Sequence, residues 1–192
     1  MTMKTLLATA LGAFLLAAGP AGAADYVIDT KGAHASINFK VKHLGFSWLA
    51  GRFDEFSGSF SFDPANPEAS KISVEIVAES VNSNHAKRDK HIRSADFLET
   101  DKYPKASFVS TSMKKTGERT GVITGNLTLR GITKEIAIQA EYIGGGDDPW
   151  GGFRQGFAGT TSFKMADFGI PKDLGPASRV VEMELHVEGI RQ

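Results

Sequence analysis

The sequence predicts an all-β domain, an extended antiparallel β-barrel with a short helical segment near residues 84–98, and three observations predict it. Apolar and polar residues alternate with period two along most of the chain, as strands with one solvated face require. The 192 residues include 21 glycines and 13 phenylalanines, a combination of turn formers with strand-favouring aromatics. Several alternating runs approach ten residues, which is about 33 Å of extended chain and longer than an ordinary strand. Strands of that length expose wide edges unless the sheet closes on itself, which favours a barrel over a sandwich.

The chain opens on a different signal. Met1–Lys4 carries one positive charge, Leu6–Ala18 is almost unbroken apolar sequence, and Pro20 precedes Ala21-Gly22-Ala23. A charged start, a short apolar core and small residues at −3 and −1 read as a secretory signal peptide cut after Ala23. The apolar run falls short of the roughly 20 residues that span a bilayer. Residues 24–192 are then a single domain with no linker, repeat or low-complexity tract. There is no cysteine, so the fold is held by its core rather than by disulfides. The 22 basic and 22 acidic side chains balance, which leaves no basic field for nucleic acid.

The alternation is clearest at Ala35–Lys42, where Ala35, Ile37, Phe39 and Val41 share one face. It recurs at Phe56–Phe62, with Gly58, Phe60 and Phe62 on one side and serines on the other, and at Ile72–Ile76, Gly121–Leu129, Glu135–Tyr142 and Val181–Val187. Asp63-Pro64-Ala65-Asn66-Pro67 cannot continue a ladder, because two prolines lack N–H groups. Arg130-Gly131-Ile132-Thr133 reads as a tight hairpin, and Gly144–Gly152, with five glycines, as a long irregular loop. Only Asn84–Glu99 loses the alternation, and it reads as one or two helical turns. A helix there puts His85, Arg88 and Asp89 on one face, with Ile92 continuing it. That face would either cap a barrel end and offer donors to a ligand's polar head, or stand in water as a set of local ion pairs.

Other chemistry finds little support. There is no Gly-x-Ser-x-Gly elbow and no thiol nucleophile. The five histidines show no zinc-helix spacing. Gly144-Gly145-Gly146 lacks a following phosphate-binding helix, and the sequon at Asn126-Leu127-Thr128 sits in mid-strand. The aromatic surplus points instead to an apolar cavity for a chain-like lipid.

The segments Ala24–Asp29, His34–Trp48, Ser83–Leu98, Tyr103-Pro104, Leu127–Lys134, Gly146–Gly152 and Asp173–Ser178 resemble the YceI family across essentially the whole mature chain, most specifically at 83–98. The resemblance implies a lipocalin-like barrel around an apolar tunnel, in a periplasmic binding protein for an isoprenoid-chain amphiphile, either a ubiquinone-type quinone or a polyprenyl compound. It implies a carrier or reservoir rather than an enzyme, with no cofactor and no metal, often as a homodimer and with at most transient membrane contact. On this reading Ile37, Phe39, Val41, Trp48, Phe60 and Phe62 line the tunnel, and Asn84, His85 and Arg88 meet the polar head at its mouth. The rival expectations are a hydrolase or redox enzyme using His85, Asp89 and His91 as acid/base groups, and a stress-response interaction module.

Overall fold

The computed structural model describes residues 22–192, and the expected leader lies almost wholly outside the described residues. The chain runs β1 (Ala24–Ile28), β2 (Ser36–His43), β3 (Ser47–Phe53), β4 (Phe56–Phe62), β5 (Lys71–Val77), β6 (Val81–Asn82), α1 (Ala86–Arg93), β7 (Lys105–Lys115), β8 (Thr120–Leu129), β9 (Ile132–Asp147), β10 (Phe153–Lys164) and β11 (Val180–Arg191). All pairings are antiparallel, and eight strands close in the order β1-β4-β5-β7-β8-β9-β10-β11 and back to β1. The barrel and the short helix α1 are those the sequence predicts. Pairing of β1 with both β4 and β11 closes the ring.

β11 serves two partners along one edge. Val181–His186 pair with β2, and Gly189–Arg191 pair with β1. The β2–β3 hairpin therefore builds the wall only at one end of the barrel, where β3 has two rungs to β6, at Arg52 and Phe53. Beyond β6 the wall is made by α1 and the segment that follows it.

Two local readings need correction. Gly144–Asp147 is not loop: β9 extends through it, with Gly144, Gly145, Gly146 and Asp147 opposite Gly156, Gln155, Arg154 and Phe153, past a bulge at Gly156/Phe157. Gly145 is there for close approach, since a Cβ would collide with the buried Gln155 side chain. The true loop is short, and Asp148 closes it by accepting from the amides of Trp150 at 2.9 Å and Gly152 at 2.8 Å. In addition β3, β7 and β10 form where no clean alternation is readable, β7 around a register shift at Ser110/Ser112. The hairpin predicted over Arg130–Thr133 is present between β8 and β9, but it turns on Arg130-Gly131 alone, and Ile132 and Thr133 already belong to β9.

The interior divides into three clusters. At one end Tyr26, Ile28, Phe60 and Phe62 are buried against Tyr142, Phe153 and Phe157. At the other, Ile37, Ile76, Val81, Leu98, Ala106, Leu129, Met165, Phe168 and Ile170 form a larger apolar shell. Phe108, Ile123 and Ile138 share packing partners with both.

Candidate functional site

The aromatic end is solid. Tyr26 stacks on Phe60 at 4.9 Å between centroids, and Phe157 meets Phe60, Phe62 and Tyr142 at 5.5, 5.1 and 5.4 Å. Outside it, Arg154 gathers three carboxylates: Nη1 donates to Asp29 at 2.7 Å and to Glu188 at 2.5 Å, and Nε donates to Asp148 at 2.8 Å. Hydrogen bonds from Arg154, from His34 and from the Gly32 amide hold the Asp29 carboxyl far below the usual range. Asp29, His34 and Glu188 lie close enough together to hold a metal ion, but the guanidinium already meets that acidic charge.

The other end is hollow. A cavity of about 410 Å³ opens beneath α1, within the range of small-molecule sites. β2 and β3 give it Phe39, Val41, Leu49 and Phe53, and β7 and β8 give Ala106, Leu127 and Leu129. Phe163, Met165, Val181 and Met183 close the far wall. From the helical side come Ile92, Phe97 and Leu98. The polar groups sit at the rim: Lys42, His43, Arg88, His91 and Ser178.

α1 reaches its place through a buried polar knot. The backbone amide and hydroxyl of Ser83 both donate to Asp89 Oδ1, the amide at 2.8 Å. Burial pushes the Asp89 carboxyl up, but the Ser83 hydroxyl, the Ser83 and His85 amides and the charge of Arg93 outweigh it and leave the carboxyl below its usual range. Arg88 returns to the same serine, with Nε on Ser83 Oγ at 2.7 Å and Nη2 on the Ser83 carbonyl at 2.6 Å. Among the described residues Nη1 of Arg88 has no hydrogen-bond acceptor, which leaves a donor at the chamber's edge. Arg93 anchors the last turn to the carbonyls of Glu79 at 2.6 Å and Val81 at 2.9 Å.

Phe39, Val41 and Arg88 thus border the chamber. Ile37 is buried in the shell around it without facing the void. Phe60 and Phe62 do not line it, because the last residues of β4 reach the filled end. Trp48 is opposite to Leu49 in the alternation and lies on the outer face, 47 % exposed, under the ammonium groups of Lys40 and Lys42. Asn84 is exposed with φ 61°. His85 caps α1 by accepting from the Arg88 amide at 3.2 Å. His91 pairs with Asp96 at 2.7 Å, so His85, Asp89 and His91 are each engaged separately. The lining residues not singled out from the sequence come mostly from β8 and β11 and from the loops after α1 and β10. Val181 and Met183 stood in a visible alternation, but only the pairing with β2 shows which end they reach.

An eight-stranded antiparallel barrel, packed solid at one end and hollow at the other, is a lipocalin-like barrel with a blind apolar chamber. Residues 26–189 match the YceI-like domain, and the chain belongs to the YceI family. It is 61 % identical over 192 residues, the full length of both chains, to a UPF0312 protein of Azotobacter vinelandii. The crystal structure of the Campylobacter jejuni YCEI protein is 32 % identical, with a TM-score of 0.72 over 80 % of this chain and 91 % of that one. A polyisoprenoid binding domain from Saccharophagus degradans, implicated in plant cell wall breakdown, shares the fold at 17 % identity, with a TM-score of 0.64 over 87 % of this chain and 98 % of that one.

Proposed function

We propose that this chain is an exported, periplasmic binding protein for an isoprenoid-chain amphiphile, a ubiquinone-type quinone or a polyprenyl compound, and that it carries or stores that lipid without transforming it. The observation that carries the reading is the chamber: apolar along its depth, with Arg88 at its rim. A lipid tail gains about 0.8 kcal/mol for each CH₂ taken out of water, and a shielded interior collects that gain. The free Nη1 of Arg88 suits a carbonyl, hydroxyl or phosphate oxygen on the head. The polyisoprenoid binding of the Saccharophagus degradans relative supports the same ligand class. The separate engagement of His85, Asp89 and His91 supports binding over catalysis, and the leader pattern of residues 1–23 supports export.

Native mass spectrometry of the protein expressed with its own leader and recovered from the periplasm, followed by solvent extraction, tests all of this. A stoichiometric quinone or polyprenyl adduct is the expected result. An empty protein that also refuses such lipids when offered refutes the carrier reading, and failure to reach the periplasm refutes the localisation.

A further inference from the structure

The turn between β2 and β3 departs from what such turns favour. Leu44 and Gly45 both adopt positive φ, 53° and 83°, and the Phe46 amide donates to the His43 carbonyl at 2.9 Å. Asparagine and glycine suit positive φ, whereas a branched apolar side chain there is strained. Phe46 beside it is 88 % exposed and Leu44 is 57 % exposed. The turn therefore holds two large apolar side chains in water, one of them at a conformational penalty, with no packing inside the barrel to justify Phe46.

This tip belongs to the chamber mouth. The loop 170–178 is joined to it by the Leu44 amide, which donates to Ser178 Oγ at 3.3 Å, and presents Leu174, 37 % exposed. Leu44 and Leu174 are at once exposed and part of the chamber lining, so apolar surface runs without interruption from the outside into the cavity. The charge around it is lopsided. Segments 40–48, 84–98 and 170–180, which frame the mouth, hold eight lysines and arginines against three aspartates, in a chain with 22 of each sign. Trp48, two residues from the tip, has the ammonium groups of Lys40 and Lys42 at 4.8 and 5.4 Å from its ring. Exposed apolar tips, an indole and flanking lysines are the mixture that settles at the boundary between headgroups and acyl chains.

We propose that the β2–β3 turn is a membrane-docking site. Leu44 and Phe46 enter the interface of an anionic phospholipid bilayer, the basic rim meets the headgroups, and the chamber mouth faces the lipid. The purpose of such docking, passing cargo between bilayer and chamber without crossing water, rests on the lipid-binding reading, but the docking itself is measured without cargo.

The test uses the mature chain and vesicles of phosphatidylethanolamine with phosphatidylglycerol, with phosphatidylcholine vesicles as the neutral comparison. Sedimentation with the anionic vesicles, weakening as salt rises, is expected. The two tryptophans report orientation, because Trp150 is 76 % exposed at the opposite end beside Arg154. Brominated phospholipid is expected to quench Trp48 in Trp150→Phe and to leave Trp150 bright in Trp48→Phe. Phe46→Ser, at a side chain already in water, is expected to lower vesicle partitioning by about tenfold without changing the unfolding midpoint. Equal quenching of both tryptophans, or partitioning indifferent to Phe46→Ser, overturns the proposal. So does a protein that ignores vesicles while Phe46→Ser turns a dimer into a monomer in sedimentation velocity, since the tip is then a subunit contact. A protein that docks on vesicles but never holds a lipid sinks the carrier reading alone, and one that holds lipid but ignores vesicles sinks docking alone.

Discussion

The two ends of this barrel are built from the same kinds of residue and do opposite things with them. At the filled end β1 closes the wall between β4 and β11, and Phe60, Phe62, Tyr142 and Phe157 face one another closely enough for their rings to pack. At the hollow end β3 has only the two-residue β6 as its outer partner, beside a short polar helix. Phe39, Phe53, Phe97 and Phe163 there surround a space rather than closing it. An apolar residue at the first end stabilises the fold by meeting its neighbours. At the second it stands ready to stabilise whatever enters. Aromatic content alone therefore says little about a site. What matters is whether the facing strands bring the rings within reach.

The comparison makes predictions that separate the ends. The largest effect belongs to Phe60→Ala, which opens a void in the filled end and should destabilise the protein by about 3–5 kcal/mol. Chemical denaturation checks it, and the fraction still folded should take up a fluorescent polyprenyl probe with unchanged affinity. Val41→Trp does the reverse. By filling the chamber it should cut probe affinity by at least about thirtyfold, because each displaced CH₂ forfeits about 0.8 kcal/mol, while the unfolding midpoint moves less than in Phe60→Ala. Arg88→Ala should lower affinity about tenfold for a probe with an oxygen-bearing head, and hardly at all for a headless hydrocarbon. Equal losses for both probes would mean that Arg88 only props up α1.

The smallest effect at ordinary pH concerns the acid side. Asp29 is ionised far below its unfolded value, near 3.9, because Arg154, His34 and Gly32 hydrogen-bond the carboxylate. A depressed folded value contributes stability that is complete above the unfolded one and fades as pH falls toward the folded one. Unfolding midpoints should therefore hold steady above about pH 5 and drop below pH 4, and Asp29→Asn should flatten that drop. An unchanged acid profile in Asp29→Asn would assign the drop to other carboxylates.

Much of this was readable in the sequence, and the parts that were not have physical reasons. The alternation at Ile37, Phe39 and Val41, the helix near Arg88 and the Arg130-Gly131 turn are local patterns, and local patterns survive in one dimension. β7 and β10 were hidden because Ser110–Ser112 bulges and Gln155 and Gly159 interrupt the apolar face. Gly144–Gly146 looked like loop because glycine serves close backbone approach as readily as it serves turns. Phe60 and Phe62 have the same period and composition as Phe39 and Val41. Only the register, which pairs Phe60 with Tyr26 and Phe39 with Met183, sends one pair to the plug and the other to the chamber. Which end a strand residue occupies is a long-range fact, and alternation is silent about it.

β11, whose single edge binds β2 along one half and β1 along the other, lies between Val180 and Arg191 in a chain of 192 residues. The ring closes by pairing Tyr26 with Arg191, a contact between residues far apart in sequence. Both ends of the interior therefore depend on this one strand for closure. Without it β1 is held only by β4 and β2 only by β3, and neither hairpin edge is joined to the far wall. A lock made of such long-range contacts is slow to close, which suits a protein that is threaded across a membrane before it folds, should the proposed export take that route.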